Sequence, residues 1–560
     1  MKLLLVIFLL TLTLRIIFLD KVPVGFYPDE AAFAYDSYSL SQTLKDQWGH
    51  FLPVTLESFG DYKYPLSAYL AIPAIKILGL SVFSSRITES LISSFSIFIV
   101  FLLAGEIAES LKFNKTKKSL FQYSASFLLT ISSWHIMLSR EFFGFTLTSF
   151  FLPLGIYFFI KGSTGNYKFL VFSVIIFSLN LMTYPHAFFV TPFILLALFI
   201  LFKKEVFSLK KHQLFRLFAL VSVFIFLFLT LYANGSTIRL EQTNLLSSSL
   251  EQSSINKINL VREGVPSFIT QVIHNKYLYA FKNFITNYTS YFSPEFLFTK
   301  GPGEESYAMI KGQGVLYWFE IPFLIAGILF IFKNYKNKLL QVLALWILLS
   351  PIPASLAGGI GYAANRASVV LSAIQIVLAL GFVHIYFYLK KILSFKKLII
   401  LYSIFIILAA LNFFYFLESY FIQSKYKIAT LREYGNVEAL EYVKSLNKNY
   451  KEIIVSRKLS EPHIYAAVVF RYNPKDYQEN TKNWKYKEDG KDWVDEMIDY
   501  KLGNFTFRNI NWSIDQSLEN TILVGHPEEF PDNVDPEKTI YYPSGEKAIY
   551  IVEPTLQPEI

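Results

Sequence analysis

Along the chain, apolar residues gather into runs at roughly 3–19, 66–83, 86–104, 119–138, 142–160, 168–183, 187–202, 214–232, 314–332, 339–354, 366–389 and 398–418, parted by short polar gaps. Each run is close to the roughly 20 residues an α-helix needs to cross a bilayer. The pattern predicts a polytopic α-helical membrane protein. The run 66–83 (PLSAYLAIPAIKILGLSV) is the exception, because it holds Pro73 and Lys76 and nearly abuts the next run. The loops LKFNKTKK, KGSTGNYK, KKEVFSLKKH, KNYKNK and KKILSFKK fall on one side together however that run lies, and they join Lys2 only if it lies along the surface. A spanning 66–83 would also put residues 20–65 on the opposite face from 233–313. The positive-inside rule then gives about eleven spans plus juxtamembrane helices, with the N-terminus in the cytoplasm.

The exterior receives a first loop of about residues 20–85, a large loop 233–313, and everything from about 419 onward. After 418 the composition changes. NVEALEYVKSLNKN has amphipathic helical spacing, whereas EIIVS, TILVG and KAIYIVE read as short buried strands. The chain thus divides into a transmembrane domain, 1–418, and a small exterior α/β domain, 419–560. The first apolar run reaches about Leu19 with no A-x-A-like cleavage site behind it, so it reads as a retained first span rather than a signal peptide.

Composition agrees with this division. The 560 residues are 53% hydrophobic and 18% aromatic but only 17% charged, against about 25% charged in soluble proteins. The net charge of +9 needs no nucleic-acid partner, since Lys and Arg sit mainly in the gaps that set membrane orientation. The chain has no cysteine, which excludes disulfides, Cys-ligated zinc and thiol nucleophiles. The eight histidines show no H-x-x-x-H or H-E-x-x-H spacing, so a histidine metal site is unsupported. A carboxylate-held Mg²⁺ or Mn²⁺ on Asp29, Glu30 and other outer acids stays open, but one acidic pair specifies no metal.

Ionisable residues are nearly missing from the span centres, where transporters and pumps keep theirs. They gather at the outer ends of helices: Arg15, Asp29, Glu30, Asp61, Lys63, Arg86, Arg140, Glu141, His186 and Arg366. That layout suits chemistry at the membrane–water boundary, on a substrate with a lipid tail and a charged head. In GFYPDEAAFAYDSYSL the proline opens a helix with Asp29 and Glu30 in its first turn; either both acids complement the helix N-terminus, or Asp29 is a general base shielded by Phe and Tyr. In SFGDYKYPLSAYL, Lys63 either binds a lipid phosphate or snorkels beside Asp61. Arg86, in FSSRITES, is a second phosphate clamp or an ordinary span-entry arginine. Arg140 and Glu141, in SSWHIMLSREFFG, pair with each other, which at a surface is worth about 1 kcal/mol or less, or else meet phosphate and acceptor. Tyr184 and His186 in MTYPHAFF can hydrogen-bond a sugar or merely shape a turn. Glu295 and Lys300 lie among aromatics in YFSPEFLFTKGPGEESY, a segment suited to the bilayer surface. The glycine-rich turn in ASLAGGIGYAANRAS ends at Arg366 and can offer backbone N–H groups to an anion, although it is not a P-loop.

The first helix followed by PDEAAFAYDSYSL, then DYKYPLSAYL and FSSRITES, resembles the membrane glycosyltransferases of the GT-C fold. The similarity is to glycosyltransferase family 39, the protein O-mannosyltransferase-like bacterial proteins, and to the related lipid A aminoarabinose transferases. SSWHIMLSRE, MTYPHAFFVTP, YFSPEFLF and LLSPIPASL with NRAS are also similar to stretches of bacterial members, so the resemblance covers roughly residues 1–420. It implies an enzyme in the plasma (inner) membrane of a prokaryote. Such an enzyme moves a hexose or pentose from a polyprenyl-phosphate donor to an acceptor hydroxyl on protein, lipid or glycan at the outer face, with inversion. It implies Asp29 as the principal catalytic base with Glu30 as its partner, Lys63 on the donor phosphate, and Arg86 as the arginine opening the second span. The chain departs from the family at Gly144, where relatives carry a Glu shortly after the SR pair; Glu141 stands close by. A transporter or flippase of lipid-linked sugars is the alternative, favoured by the number of spans and disfavoured by their uncharged centres and the large exterior segments.

Overall fold

The computed structural model describes residues 2–233, 245–264, 266–303, 307, 309–356 and 363–554. Among them, five helices are long and apolar enough to cross a membrane: Val82–Ser110, Lys211–Leu231, Lys338–Leu356, Ala364–Ile392 and Phe395–Ile428. The most apolar 18-residue stretch of Ala364–Ile392 is 83% buried, at the centre of the bundle, whereas that of Phe395–Ile428 is 6% buried and shows apolar side chains all round. An apolar helix exposed on most sides is one solvated by lipid. The chain is an integral membrane protein. Gly381 and Gly327 let the central helix touch its neighbour Ile321–Lys333, since a Cβ on Gly381 would lie 1.8 Å from the Phe323 carbonyl oxygen.

Other apolar runs form shorter helices than their length in sequence predicts. The run 66–83 yields Leu66–Leu78, 13 residues with Pro73 inside, or about 20 Å at 1.5 Å per residue. The run 119–138 breaks at Ser132, whose hydroxyl caps a second short helix, Ser133–Leu138, by accepting from the His135 N–H. The run 142–160 becomes helical only from Thr148, to Thr164. Its irregular start is strapped down by hydroxyls of the Val82–Ser110 helix: Ser90 donates to the Ser139 carbonyl at 2.9 Å, and Ser93 to Thr146 at 2.8 Å. The serines of SSRITESLISS therefore fix the loop that carries Arg140 and Glu141.

At the far end of the bundle the lysine-rich loops meet. Asn114 and Asn337 cap the helices Lys115–Ile131 and Lys338–Leu349 through their side-chain oxygens. Asn337 also donates to Ser110, and Lys338 pairs with Glu205 at 2.6 Å. These contacts bring the loops near 110–118, 203–211 and 334–338 to one end of the bundle.

At the other end, residues 20–65 and the C-terminal part of the chain build one structure. A two-stranded hairpin, β1 (Leu56–Glu57) and β2 (Tyr62–Lys63), lies beside the Pro28–Thr43 helix. The C-terminal part holds a six-stranded sheet of β3 (Glu452–Val455), β4 (Tyr500–Leu502), β5 (Phe505–Phe507), β6 (Thr521–Gly525), β7 (Lys538–Tyr541) and β8 (Lys547–Val552). Their spatial order is β4-β5-β3-β6-β8-β7. β3 runs parallel to β5 and β6, and the remaining pairs are antiparallel. EIIVS, TILVG and KAIYIVE supply β3, β6 and β8, and the amphipathic stretch supplies the helix Asn436–Ser445. Phe26, Phe33, Tyr35 and Phe59 from the first loop share an apolar core with Ile453, Tyr465, Tyr477 and Val494 of this region. Hydrogen bonds cross the same boundary, from Tyr465 Oη to the Phe26 carbonyl at 2.7 Å and from Tyr35 Oη to the Tyr472 carbonyl at 2.9 Å.

Candidate active site

Pro28 opens the helix Pro28–Thr43 because its fixed φ and missing N–H cost nothing in a first turn. Asp29 follows it at the positive end of the helix dipole. The β1–β2 hairpin closes through Ser58 N–H to the Asp61 carbonyl at 2.9 Å and turns Lys63 toward Asp29. Lys63 Nζ lies 2.9 Å from Asp29 Oδ1 and 2.8 Å from Asp61 Oδ1. Asp29 and Lys63 are each 8% exposed. The result is a charge-assisted bridge of one ammonium between two carboxylates, withdrawn from bulk water yet reachable.

Glu30 looks the other way and is fully buried. Arg86 grips it with two bonds of 2.8 Å, Nε to Oε1 and Nη2 to Oε2. Arg432, from the C-terminal part of the chain, reaches Oε2 at 2.6 Å. The N–H groups of Tyr27 and Phe142 complete the shell at 3.3 and 3.2 Å. Burial alone would raise the Glu30 carboxyl, but Arg86 and Arg432 outweigh it and hold the group below the usual carboxylate range. Arg86 also takes the carbonyls of Leu19, Pro23 and Gly25, at 3.2, 2.9 and 2.8 Å. It therefore clamps the chain just before Asp29, with Nε, Nη1 and Nη2 all engaged by protein groups.

Arg140 and Glu141 do not pair with each other, in contrast to the simplest sequence reading. The bend at 139–147 sends them apart. Arg140 donates to the carbonyls of Leu14, Ile17 and Val22, at 3.1, 2.7 and 2.7 Å, and lies over the Phe421 ring. Glu141 meets Arg432 Nη1 at 3.4 Å. Burial pushes the Glu141 carboxyl up to about 8 against the pull of Arg432, and nearby Glu30 adds to the rise. Arg15 binds His135 Nδ1 at 2.7 Å, and the carbonyls of Leu129 and Thr130, away from the acids. Tyr184 packs edge-on to Phe145, with its ring 5.0 Å from that of His186. Arg366 follows Asn365, whose side-chain oxygen accepts its N–H at 2.9 Å; residues 357–362 of the glycine-rich turn lie outside the described residues. Glu295 forms an exposed pair with Lys300 at 3.1 Å and stands apart from the Asp29 site. The structure thus joins Asp29, Lys63 and Asp61 in one group and Glu30, Arg86 and Glu141 in a second.

Two members of the surroundings carry no signal that sequence reading used. Glu89, one turn beyond Arg86, accepts from Ser67 Oγ at 2.7 Å and from the Gly144 N–H at 2.6 Å. The departure at Gly144 follows from this geometry: its φ is +85°, and a Cβ would lie 2.4 Å from the Thr183 carbonyl oxygen. A carboxylate reaches that place from Glu89, on a different element. Arg432 sits in an unremarkable stretch, IATLREYG, roughly 400 residues from its partner in the chain. The C-terminal part adds further acids. Burial pushes Glu433 up to about 7 and Glu461 to about 8, in both cases with repulsion from Asp495, and Asp29 adds to it at Glu461.

The donor set does not suit a divalent cation. Both Glu30 oxygens are taken by arginines, Asp29 Oδ1 is held by the Lys63 ammonium, and among the described residues no group of three Asp, Glu or His side chains is placed to hold a metal ion.

Solved structures similar to this chain in fold include an oligosaccharyltransferase and ArnT. One is the archaeal oligosaccharyltransferase AglB from Archaeoglobus fulgidus, solved with an inhibitory peptide and a dolichol-phosphate; it is 14% identical over 84% of this chain, with a TM-score of 0.45. This chain spans 63% of that enzyme's length. Another is ArnT from Cupriavidus metallidurans bound to undecaprenyl phosphate, 10% identical over 100% of this chain and 99% of its own, with a TM-score of 0.48. No family model and no curated protein matches the sequence.

Proposed function

We propose that this chain transfers a sugar from a polyprenyl-phosphate donor to an acceptor hydroxyl at the outer face of a prokaryotic plasma membrane, with inversion. The observation that carries the reading is the Asp29–Lys63 bridge of 2.9 Å, nearly withdrawn from water, in a chain whose apolar helices place it in a bilayer. Transfer from a phosphate-linked sugar needs one proton acceptor and one cation, because phosphate is already a good leaving group. Lys63 supplies the cation for the donor phosphate, and Asp61 keeps it charged and in place when Asp29 turns to the acceptor. Asp29 takes the acceptor O–H proton as that oxygen bonds to the anomeric carbon. The bond from that carbon to the phosphate oxygen breaks, and polyprenyl phosphate leaves with the electron pair. Glu30, fully engaged by two arginines, takes no proton in this scheme and anchors the helix start.

The finer topology belongs to the same proposal: about eleven spans, a transmembrane domain 1–418, and an exterior α/β domain 419–560 over the site. The meeting of the lysine-rich loops at one end supports a common cytoplasmic side for them.

The test is mass spectrometry of lipid-linked sugars and glycoconjugates in a deletion strain. Donor should accumulate and a sugar should disappear from its acceptor. The wild-type gene should reverse both, and Asp29→Asn should reverse neither. Wild-type activity from Asp29→Asn would overturn the assignment of the base.

A further inference from the structure

Glu30 and Arg86 already form a complete ion pair, bidentate and fully buried. A second arginine on the same carboxylate is therefore surplus to Glu30 alone. The surroundings explain what it adds. Arg432 Nε donates to the Val24 carbonyl at 3.0 Å, Nη2 to Glu30, and Nη1 approaches Glu141. Its guanidinium lies 5.9 Å from the Tyr27 ring centre. Its own carbonyl oxygen lies so close to Gly25 that a Cβ there would be 2.3 Å away, at a φ of +74°. Tyr465 adds a bond to the Phe26 carbonyl. Residues 24 to 27 and residue 30 are thus each held by side chains or backbone from beyond residue 430, and Asp29 lies inside that bracket. Arg86 grips the same segment from the membrane side, through Pro23 and Gly25. Two buried carboxylates, Glu30 and Glu141, face two buried arginines. Arg432 is the arginine that meets both.

We propose that Arg432 is a positioning residue for the Asp29 site: by bridging Val24, Glu30 and Glu141 it sets where the Pro28–Thr43 helix begins, so the C-terminal domain completes the active site instead of merely covering it. The inference rests on the reading of Asp29 as base for its effect on rate, but not for its effect on the backbone.

Hydrogen exchange of the full-length protein in lipid nanodiscs, followed by peptide mass spectrometry, tests the backbone effect without any substrate. In Arg432→Gln, amides of residues 24–31 should exchange about tenfold faster or more, the scale set by losing a buried charged hydrogen bond. Amides of β3 and β6 should keep their protection. In the transfer assay kcat should fall by about tenfold or more with the donor KM unchanged, because the Arg432 bonds to Val24, Glu30 and Glu141 hold the helix start and not the lysine; Arg432→Lys should recover part of the rate. Unchanged exchange over 24–31, or an unchanged kcat, would overturn the proposal. If Arg432→Gln loosens the sheet as well, Glu30→Gln decides, since it weakens the same bracket from the other side: faster exchange confined to 24–31 supports the proposal, and unchanged exchange there sinks it. If the wild-type protein transfers no sugar, the glycosyltransferase reading falls, while the exchange result still decides whether Arg432 holds the segment.

Discussion

Asp29 and Glu30 are adjacent, share one helical turn, and have the same functional group, yet they live in opposite surroundings. Asp29 meets a lysine that a second carboxylate already claims, and it is 8% exposed. Glu30 has two arginines and two backbone N–H groups and no exposure at all. The difference comes from the helix itself, which turns neighbouring side chains about 100° apart. One acid can exchange its partner and the other cannot, so reactivity falls to the less well satisfied of the two.

The widest separation between them should come from paired amide variants. Asp29→Asn should cut transfer by roughly 10² to 10⁴, the range for a positioned base, and leave the unfolding midpoint near that of the wild type. Glu30→Gln should act on stability instead. Breaking a buried ion pair from one side costs about 3–5 kcal/mol, visible as a lower midpoint in a thermal melt of detergent-solubilised protein. If the two variants showed the same profile, the division of labour would be wrong. A smaller effect is expected at the lysine: Lys63→Ala should raise the donor concentration needed for half-maximal rate by about tenfold, as for a lost charge-assisted contact, and an unchanged requirement would remove Lys63 from the donor site.

The smallest expected effect depends on pH. Glu141 has its carboxyl raised to about 8 in the fold, so between the ordinary carboxylate range and about pH 8 the folded chain binds more protons than the unfolded one. Stability from this group is then full at low pH and declines as pH rises through that window. Glu141→Gln resembles the protonated form. It should match the wild type in thermal melts at about pH 4 and exceed it at pH 9. An equal gap at both values would mean that Arg432 fully compensates the charge.

The apolar runs and their lysine-rich gaps made the membrane character legible, because burial in lipid leaves its mark residue by residue. Helix lengths were less legible, since Ser132 and the strapped loop at 139–147 break apolar runs with local hydrogen bonds that hydropathy does not register. PDE after the first apolar run marked the start of the helix Pro28–Thr43, and Lys63 lies on the hairpin beside it. Arg432 and Glu89 were invisible for a physical reason: their partners are set by tertiary contacts, and a lone arginine or glutamate in a mixed stretch has no periodicity to betray it. The β4–β5 hairpin, YKLGNFTF, was missed because its strands are 3 residues each, below what alternation can reveal.

The apolar core shared by the first loop and the C-terminal sheet also sets a timetable. Phe26 receives its bond from Tyr465, 439 residues later in the chain. At about 5–20 residues per second of synthesis, the segment 20–65 waits on the order of half a minute or more for the residues that bury it. During that interval Phe26, Phe33, Tyr35 and Phe59 lack the part of their core that Ile453, Tyr465, Tyr477 and Val494 supply. Synthesis of this chain therefore leaves its beginning to be sheltered, by membrane surface or chaperone, until its end arrives.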